Sequence, residues 1–237
     1  MPHLRDAAMK LCWFLVLGAT MYHCGSCDKR GVSKQLFFVD IVAPPADIRS
    51  TMTTLNNTLY GVQGVTVEQA FKVVGEPRVV AILKFQALCD WRPLEEALLA
   101  ANLKINVKSV YGEMNLAADL KINKDLLERA PEPANIHGEF IYLVHLRLTM
   151  GGQTGSSYGE ELRNLMVHTL RRRVTGVHYL NYNVLGEFPI QMLYFAVHHP
   201  RTVEMTTWRY NNGPLEMTNS VTRIEHLQDY IQNNYCN

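Results

Sequence analysis

The stretch Val62-Gln63-Gly64-Val65-Thr66-Val67 resembles Val174-Thr175-Gly176-Val177-His178-Tyr179, which lies 112 positions later in the chain. A second pair, Val73-Val74-Gly75-Glu76 and Val184-Leu185-Gly186-Glu187, recurs at an offset of 111 positions. Each match is short, but two matches at nearly one offset indicate that one structural unit occurs twice. The fold therefore depends on what each copy contains.

The segments around these motifs follow one order in both copies. Apolar runs and amphipathic stripes in the first copy predict strands and helices at about 36–42, 47–61, 65–74, 79–87, 90–101 and 104–111. The second copy repeats the order at about 140–148, 157–176, 177–185, 190–198, 202–210 and 215–224, with a short terminal helix at 226–234. The resulting β-α-β-β-α-β order is the ferredoxin-like unit.

A proline-containing connector joins the two copies. We expect a first ferredoxin-like repeat at 28–112, a connector at 113–138, and a second repeat with a C-terminal helix at 139–237. Helices cover only one face of such a sheet, so its other apolar face needs a partner. The predicted fold is therefore α+β, with the two units packed sheet to sheet in a monomer. In the first copy this face would contain Phe37 or Phe38, Val67, Phe71 and Ile82.

A resemblance to a known superfamily rests on residues 71–77, Phe-Lys-Val-Val-Gly-Glu-Pro, and on the helix residues 94–98, Leu-Glu-Glu-Ala-Leu. With the strand between them, they resemble the dimeric α+β barrel superfamily, and within it muconolactone-isomerase-type domains. The resemblance implies an intramolecular dimeric α+β barrel. Those isomerases carry a cleft His where this chain has Phe38, so no catalytic residue is transferred. Some relatives hold haem through a His, and His168 would be the candidate, but no cofactor is predicted.

Composition excludes several classes of protein. The chain has 237 residues, of which 47% are hydrophobic and 19% charged, and its formal net charge is +1. This apolar content excludes disorder for the bulk of the chain. The balanced charge excludes a broad basic surface for nucleic acid, so no nucleic-acid partner is expected.

The N-terminus has the order of a secretory signal. Basic residues precede an apolar run at 11–19, which is too short to span a bilayer, and small residues follow it. We expect residues 1–26 to be a signal peptide, with cleavage after Thr20 or near Gly25 or Ser26, and the mature protein to be secreted and extracellular. A buried N-terminal strand or helix is the alternative. No membrane span is predicted.

The cysteines and one sequon agree with the predicted secretion. The disulfide candidates are Cys24, Cys27, Cys89 and Cys236, with the pairing left open. Cys24 and Cys27 also have redox-motif spacing, but a structural disulfide is the favoured interpretation. Asn56 begins the sequon Asn-Asn-Thr and is the predicted glycosylation site.

Polar side chains on the strands of the second copy indicate a ligand cleft inside the barrel. Tyr142, His145, His178 and Tyr194 are the candidate ligand-binding residues. The alternative is that they fill a core with their polar ends at its rim. His198 and His199 should point to opposite faces of their strand, and no metal site is predicted. The run Arg171–Arg173 is expected to be a solvated helix end.

Two functions from different classes follow. The first is a secreted, non-catalytic protein that binds a small apolar molecule in the cleft or belongs to an extracellular matrix or secretion apparatus. The alternative is a cofactor-independent isomerase, cyclase or monooxygenase of the dimeric α+β barrel type. The absence of a His at Phe38, and of a paired acid–base constellation, favours the first.

Overall fold

The computed structural model describes residues 35–44, 48–150, 155–187, 189–199 and 215–232. The predicted signal peptide, Cys24, Cys27, Cys236 and the predicted helix at 202–210 lie outside this part. The strands are β1 Gln35–Val42, β2 Val65–Val73, β3 Arg78–Phe85, β4 Lys104–Gly112, β5 Ile141–Met150, β6 Tyr179–Val184, β7 Ile190–Val197 and β8 Leu215–His226. The α-helices are α1 Ile48–Gly61, α2 Trp91–Ala100, α3 Glu113–Asp119, α4 Lys124–Arg129, α5 Gly155–Val174 and α6 Leu227–Gln232.

The eight described strands form one closed antiparallel barrel, so the fold is mixed α+β. Their order around the barrel is β1-β3-β2-β8-β5-β7-β6-β4. The first half of the chain contributes the run β4-β1-β3-β2, and the second half contributes β8-β5-β7-β6. The halves meet at two seams, where β2 pairs with β8 and β4 pairs with β6. Closure leaves no free sheet edge among these strands.

The glycines of the repeated motifs share one backbone conformation. Gly64 and Gly176 both lie between a helix and the following strand, with φ of 86° and 90°. Gly75 and Gly186 both lie in the turn between two antiparallel strands, with φ of 81° and 75°. Residues with a side chain rarely adopt positive φ, so these turns require glycine. This requirement explains why the sequence similarity is concentrated at these motifs.

The inside of the barrel is a packed apolar core. It contains residues of both halves, and the rings of Phe71 on β2 and Phe195 on β7 stack with centroids 5.4 Å apart. Tyr182 on β6 meets Phe195 edge-on at 6.0 Å. The first half thus covers its apolar sheet face with the second half, as the burial argument requires.

One part of the predicted inner face is wrong. Phe38, Phe71 and Ile82 do point into the barrel, but Val67 and Phe37 lie in the outer cluster beneath the helices. The strand register of β2 against β3 shifts between Val67 and Gln69. A bulge adds one residue to a strand, so side chains before and after it exchange faces. Simple alternation along β2 therefore fails before the bulge.

The outer face of each half is covered by its own helices. In the first half, buried residues of α1 (Met52, Leu55 and Leu59) and of α2 (Leu94 and Leu98) form one apolar cluster with the strands. In the second half, α5 buries Leu162, Leu165, Met166 and Leu170 against β5 and β7, and the connector helices α3 and α4 add to this cluster. The candidate site lies beside this second cluster.

Candidate functional site

A pocket lies on the outer face of the second half's sheet, beside helix α5. Its cavity volume is about 80 Å³. Strands β5 and β7 supply alternate residues, because side chains two positions apart share a face. Helix α5 supplies residues three and four positions apart. The residues that matter below are Leu165, Thr169 and Arg172 on α5, and Tyr179, Tyr194 and His198 on or beside the strands.

His198 is the titratable group best suited to chemistry in this pocket. Its side chain is half-buried, and its backbone N–H donates to the carbonyl of Phe140 at 3.1 Å, which fixes the end of β7. Burial, and next the nearby Arg172 guanidinium, lower the pKa of His198 from its ordinary value of 6.5. The imidazole is therefore neutral at pH 7, and a neutral imidazole can accept a proton.

Two tyrosines form the wall beside His198. The rings of Tyr179 and Tyr194 lie 5.8 Å apart at an angle of 52°. The hydroxyl of Tyr179 donates to the Glu113 carboxylate at 3.3 Å. Burial, followed by the charge of Glu113, raises the pKa of Tyr179 well above its ordinary range. Tyr179 thus stays protonated, and its hydroxyl donates to the Glu113 carboxylate.

A buried ion pair supports this wall from behind. Glu113, the first residue of α3, accepts a hydrogen bond from Arg173 of α5. The same carboxylate accepts hydrogen bonds from Thr169 at 3.1 Å and from Asn181 at 3.3 Å. Arg173 also stacks over the ring of Tyr179, with its guanidinium carbon 4.3 Å from the centroid. The expectation of a solvated Arg171–Arg173 run is therefore wrong for Arg173.

The structure does not bring the four predicted ligand-binding residues together. Tyr142 and Tyr194 point to the outer face of the barrel, and only Tyr194 lines the pocket. His145 lies on the same inner face of the sheet as Leu143 and Leu193, but it lies at one end of the barrel. His178 is exposed just before β6. The predicted cleft inside the barrel is instead occupied by the packed core.

His145 belongs to a separate polar network. Its Nε2 lies 2.7 Å from Oε1 of Gln191, which also accepts from Lys108 at 3.0 Å. Lys108 in turn forms an ion pair with Glu187 at 3.0 Å. Burial lowers the pKa of His145, and the hydrogen bond to Gln191 only partly offsets this effect. These contacts fasten β4, β5 and β7 to one another at this end of the barrel.

The pocket residues that sequence reasoning missed are His198 and Arg172. Strand alternation places His198 on the same face as Tyr194, four positions earlier, so one signal was present. On α5, Leu165, Thr169 and Arg172 follow helical spacing, which was the second signal. His168, the haem candidate, lies on the exposed side of α5. Helix α5 therefore turns His168 away from the pocket.

Several other predictions concern modification, metals and membranes. Asn56 is half-buried on α1, and its buried Oδ1 has no hydrogen-bond partner among the described residues. Glycan acceptors lie on surface loops, so the glycoprotein prediction is corrected.

Cys89 is disulfide-bonded, but no cysteine pair can be traced within the described residues. In the same part of the chain, no His, Cys, Asp or Glu cluster could hold a metal ion.

Among the described residues, no helix is both long enough and apolar enough to cross a bilayer.

Comparison with solved structures gives matches of one fold. Chlorite dismutase from Candidatus Nitrospira defluvii, in complex with imidazole, matches with a TM-score of 0.55 and 8% identity, covering 84% of this chain and 94% of that one. A variant of the same enzyme matches with a TM-score of 0.55 and 9% identity, covering 85% and 95%. No protein-family model and no curated protein matches the chain. Such low identity establishes the fold alone, and these matches are dimeric α+β barrel proteins.

These matches correct the main functional prediction. The sequence favoured a secreted, non-catalytic protein over an enzyme, but the solved structures that share this fold are named as enzymes. The preference for a secreted, non-catalytic protein is therefore wrong, and the enzyme alternative agrees better. The narrower likeness to muconolactone isomerases stays a prediction.

Proposed function

We propose that this chain is a cofactor-independent enzyme of the dimeric α+β barrel type that moves a proton on a small, mostly apolar substrate. The observation that carries the proposal is the half-buried His198, whose pKa is lowered by burial and by Arg172, at an apolar-lined pocket. A general base works best when it is neutral at the working pH and close to its substrate. The chlorite dismutase likeness supports the enzyme class but not this reaction.

The lining residues suggest a division of roles. His198 would accept a proton from a carbon next to a carbonyl group. The positive charge of Arg172 would attract a carboxylate or a developing enolate oxygen. Leu165 and the strand residues Val144 and Leu146 would exclude water from the apolar part of the substrate. These roles correspond to the isomerase class among the alternatives.

The pocket's size limits the substrate. A cavity of about 80 Å³ has room for roughly six water-sized groups. Haem, with tens of non-hydrogen atoms, does not fit this space, and His168 lies on the exposed side of α5. The proposed reaction therefore does not use haem. A small keto acid, with far fewer non-hydrogen atoms than haem, agrees better with the pocket.

The organisation of the chain into two halves is the subject of a second proposal. We further propose that the two halves are tandem ferredoxin-like repeats at 28–112 and 139–237, joined by the connector 113–138. The matching strand orders and the four positive-φ glycines support this duplication. The second half would then carry the site, while the first half would close the barrel.

Deuterium exchange tests the proposed reaction directly. We would incubate the full chain with 4-oxopentanoate in D₂O and follow loss of its α-proton signals by NMR. We expect the wild type to exchange these protons faster than the protein-free solution does. The rate that the protein adds should fall by at least about a hundredfold in His198→Gln, because the general base is lost. His178→Gln, an exposed histidine, is the matched control and should exchange like the wild type. Equal rates in the wild type and His198→Gln would contradict the proposal.

A further inference from the structure

A second pocket lies at one end of the barrel, away from His198. Its cavity volume is about 290 Å³, close to the lower limit of small-molecule sites. It is bounded by β1, β2, β3, the end of β4, β6, the start of α3 and the loop that follows α4. Its polar residues are Glu68, Gln69, Lys84, Asn115, Glu132 and Tyr182.

Tyr182 is the unusual residue in this pocket. It is 6% exposed, and its ring packs edge-on against Phe195 in the barrel core. Although it lines the pocket, no described residue hydrogen-bonds to its hydroxyl. Its oxygen is not one of the fully enclosed polar atoms that lack a partner, so the hydroxyl meets the pocket, where it can accept a hydrogen bond from a bound molecule.

Space beside Tyr182 comes from a glycine. Gly112 on β4 lies opposite Tyr182 in the strand register. A Cβ built on Gly112 would meet only the side-chain nitrogen of Asn115, at 3.9 Å. The missing side chain leaves room where the Tyr182 hydroxyl meets the pocket.

The pocket carries an excess of negative charge. Its charged lining groups are two carboxylates, Glu68 and Glu132, and one ammonium, Lys84. Glu68 is paired with Lys84 at 3.0 Å, whereas Glu132 forms no ion pair with any described residue. Both carboxylates lie close enough to Tyr182 to add to the effect of burial, which raises its pKa.

The backbone around Glu132 is held in place. Gln69, which is 5% exposed, donates from its side-chain amide to the carbonyl of Ala134 and to Oδ1 of Asn135, each at 3.3 Å. These bonds tie the connector to β2 beside its bulge. Glu132 is thereby kept on the pocket wall near Tyr182.

We propose that this end of the barrel binds a small molecule that carries a protonated amine, with Glu132 as the counter-charge and the Tyr182 hydroxyl as a second acceptor. An ammonium group supplies only donors, which matches carboxylate and phenol oxygens. Lys84 already neutralises Glu68, so Glu132 supplies the unbalanced negative charge. The site is separate from the outer pocket and does not depend on the proposed reaction.

Calorimetric titration of the full chain with 1,4-diaminobutane tests the proposal. We expect saturable binding, with 1,4-butanediol, the neutral analogue, binding at least about tenfold more weakly, because a charge-assisted hydrogen bond exceeds a neutral one. Glu132→Gln should weaken diamine binding by at least about tenfold, and Tyr182→Phe by about fivefold. Glu128→Gln, an exposed glutamate on α4 outside the pocket, should bind like the wild type.

Three results would overturn the inference. They are the absence of saturable diamine binding to the wild type, equal binding of the diol and the diamine, and unchanged diamine binding by Glu132→Gln. Tyr182→Phe keeps the ring that packs on Phe195, and Glu132 is exposed. Thermal unfolding of both variants should therefore match the wild type, which separates loss of binding from loss of fold.

Discussion

The carboxylate of Glu113 accepts a hydrogen bond from the guanidinium of Arg173 deep inside the molecule, where their side chains are 0% and 4% exposed. Glu113 begins the connector helix α3, and Arg173 lies near the end of α5 in the second half. This pair therefore fastens the connector to the half that carries the outer pocket. It also holds the carboxylate to which Tyr179 donates.

Removal of one partner should destabilise the fold strongly. Glu113→Gln leaves the buried Arg173 charge uncompensated, and we expect a loss of about 3–5 kcal/mol in the free energy of unfolding. Urea denaturation measures this loss. Glu128→Gln, whose ion pair with Lys124 is exposed, is the control and should have little effect. A loss under about 1 kcal/mol for Glu113→Gln would mean that water reaches the pair.

The low pKa of His198 should make stability depend on pH. A pKa lower in the folded state than the ordinary 6.5 means that protonation favours unfolding. The contribution of His198 to stability is therefore fully present above pH 6.5 and is lost as pH falls through the folded-state pKa. NMR titration of the His198 ring should show this low pKa, and Arg172→Gln should raise it only in part, because burial is the larger cause. An unchanged pKa in Arg172→Gln would contradict the proposed proximity of the two groups.

Haem should not bind in the outer pocket. We expect wild-type protein and His198→Gln to give the same absorption spectrum after haemin is added, because the cavity of about 80 Å³ is too small for a porphyrin. Equal spectra of the wild type and His198→Gln would mean that haemin associates with the protein only non-specifically. A stoichiometric Soret band in the wild type that disappears in His198→Gln would contradict this expectation.

The first half alone should not be a stable monomer. Residues 28–130 would expose the inner sheet face that carries Phe38, Phe71 and Ile82, which in the full chain packs against Phe195 and its neighbours. An apolar face of this size is unusual on a soluble monomer. We expect sedimentation analysis of the fragment to show dimers or aggregates, while the full chain stays monomeric. A compact, monomeric fragment would mean that the halves do not depend on each other.

Much of the fold could be predicted because local rules were sufficient for it. The paired glycines mark turns that need positive φ, and the apolar strands between them alternate with amphipathic helices. The bulge at Val67 and Gln69 could not be predicted, since a one-residue register shift leaves no clear trace in the side-chain pattern. His198 and His199 lie just beyond the end of β7, and His198 is half-buried whereas His199 is exposed.

The site was harder to predict because it depends on which distant segments meet. Arg173 looked like one of three solvated arginines, and its partner Glu113 is 60 positions away in the connector. Polar residues on the strands predict an interior cleft, yet Phe71 and Phe195 stack where that cleft would lie. Only the packing of α5 over the outer sheet face shows that His198 and Arg172 share a pocket.

The assignment of the site to the outer pocket is tested most directly by mapping where a small keto acid binds. Full-length protein with ¹³C-labelled Leu and Val methyl groups would be titrated with 4-oxopentanoate and followed by NMR. We predict saturable shifts for the methyl groups of Val144, Leu146 and Leu165, which line the outer pocket, and none for Val110 and Leu143 inside the barrel. Shifts confined to Val110 and Leu143, or no saturable shift at any methyl group, would contradict the assignment of the site to the outer face.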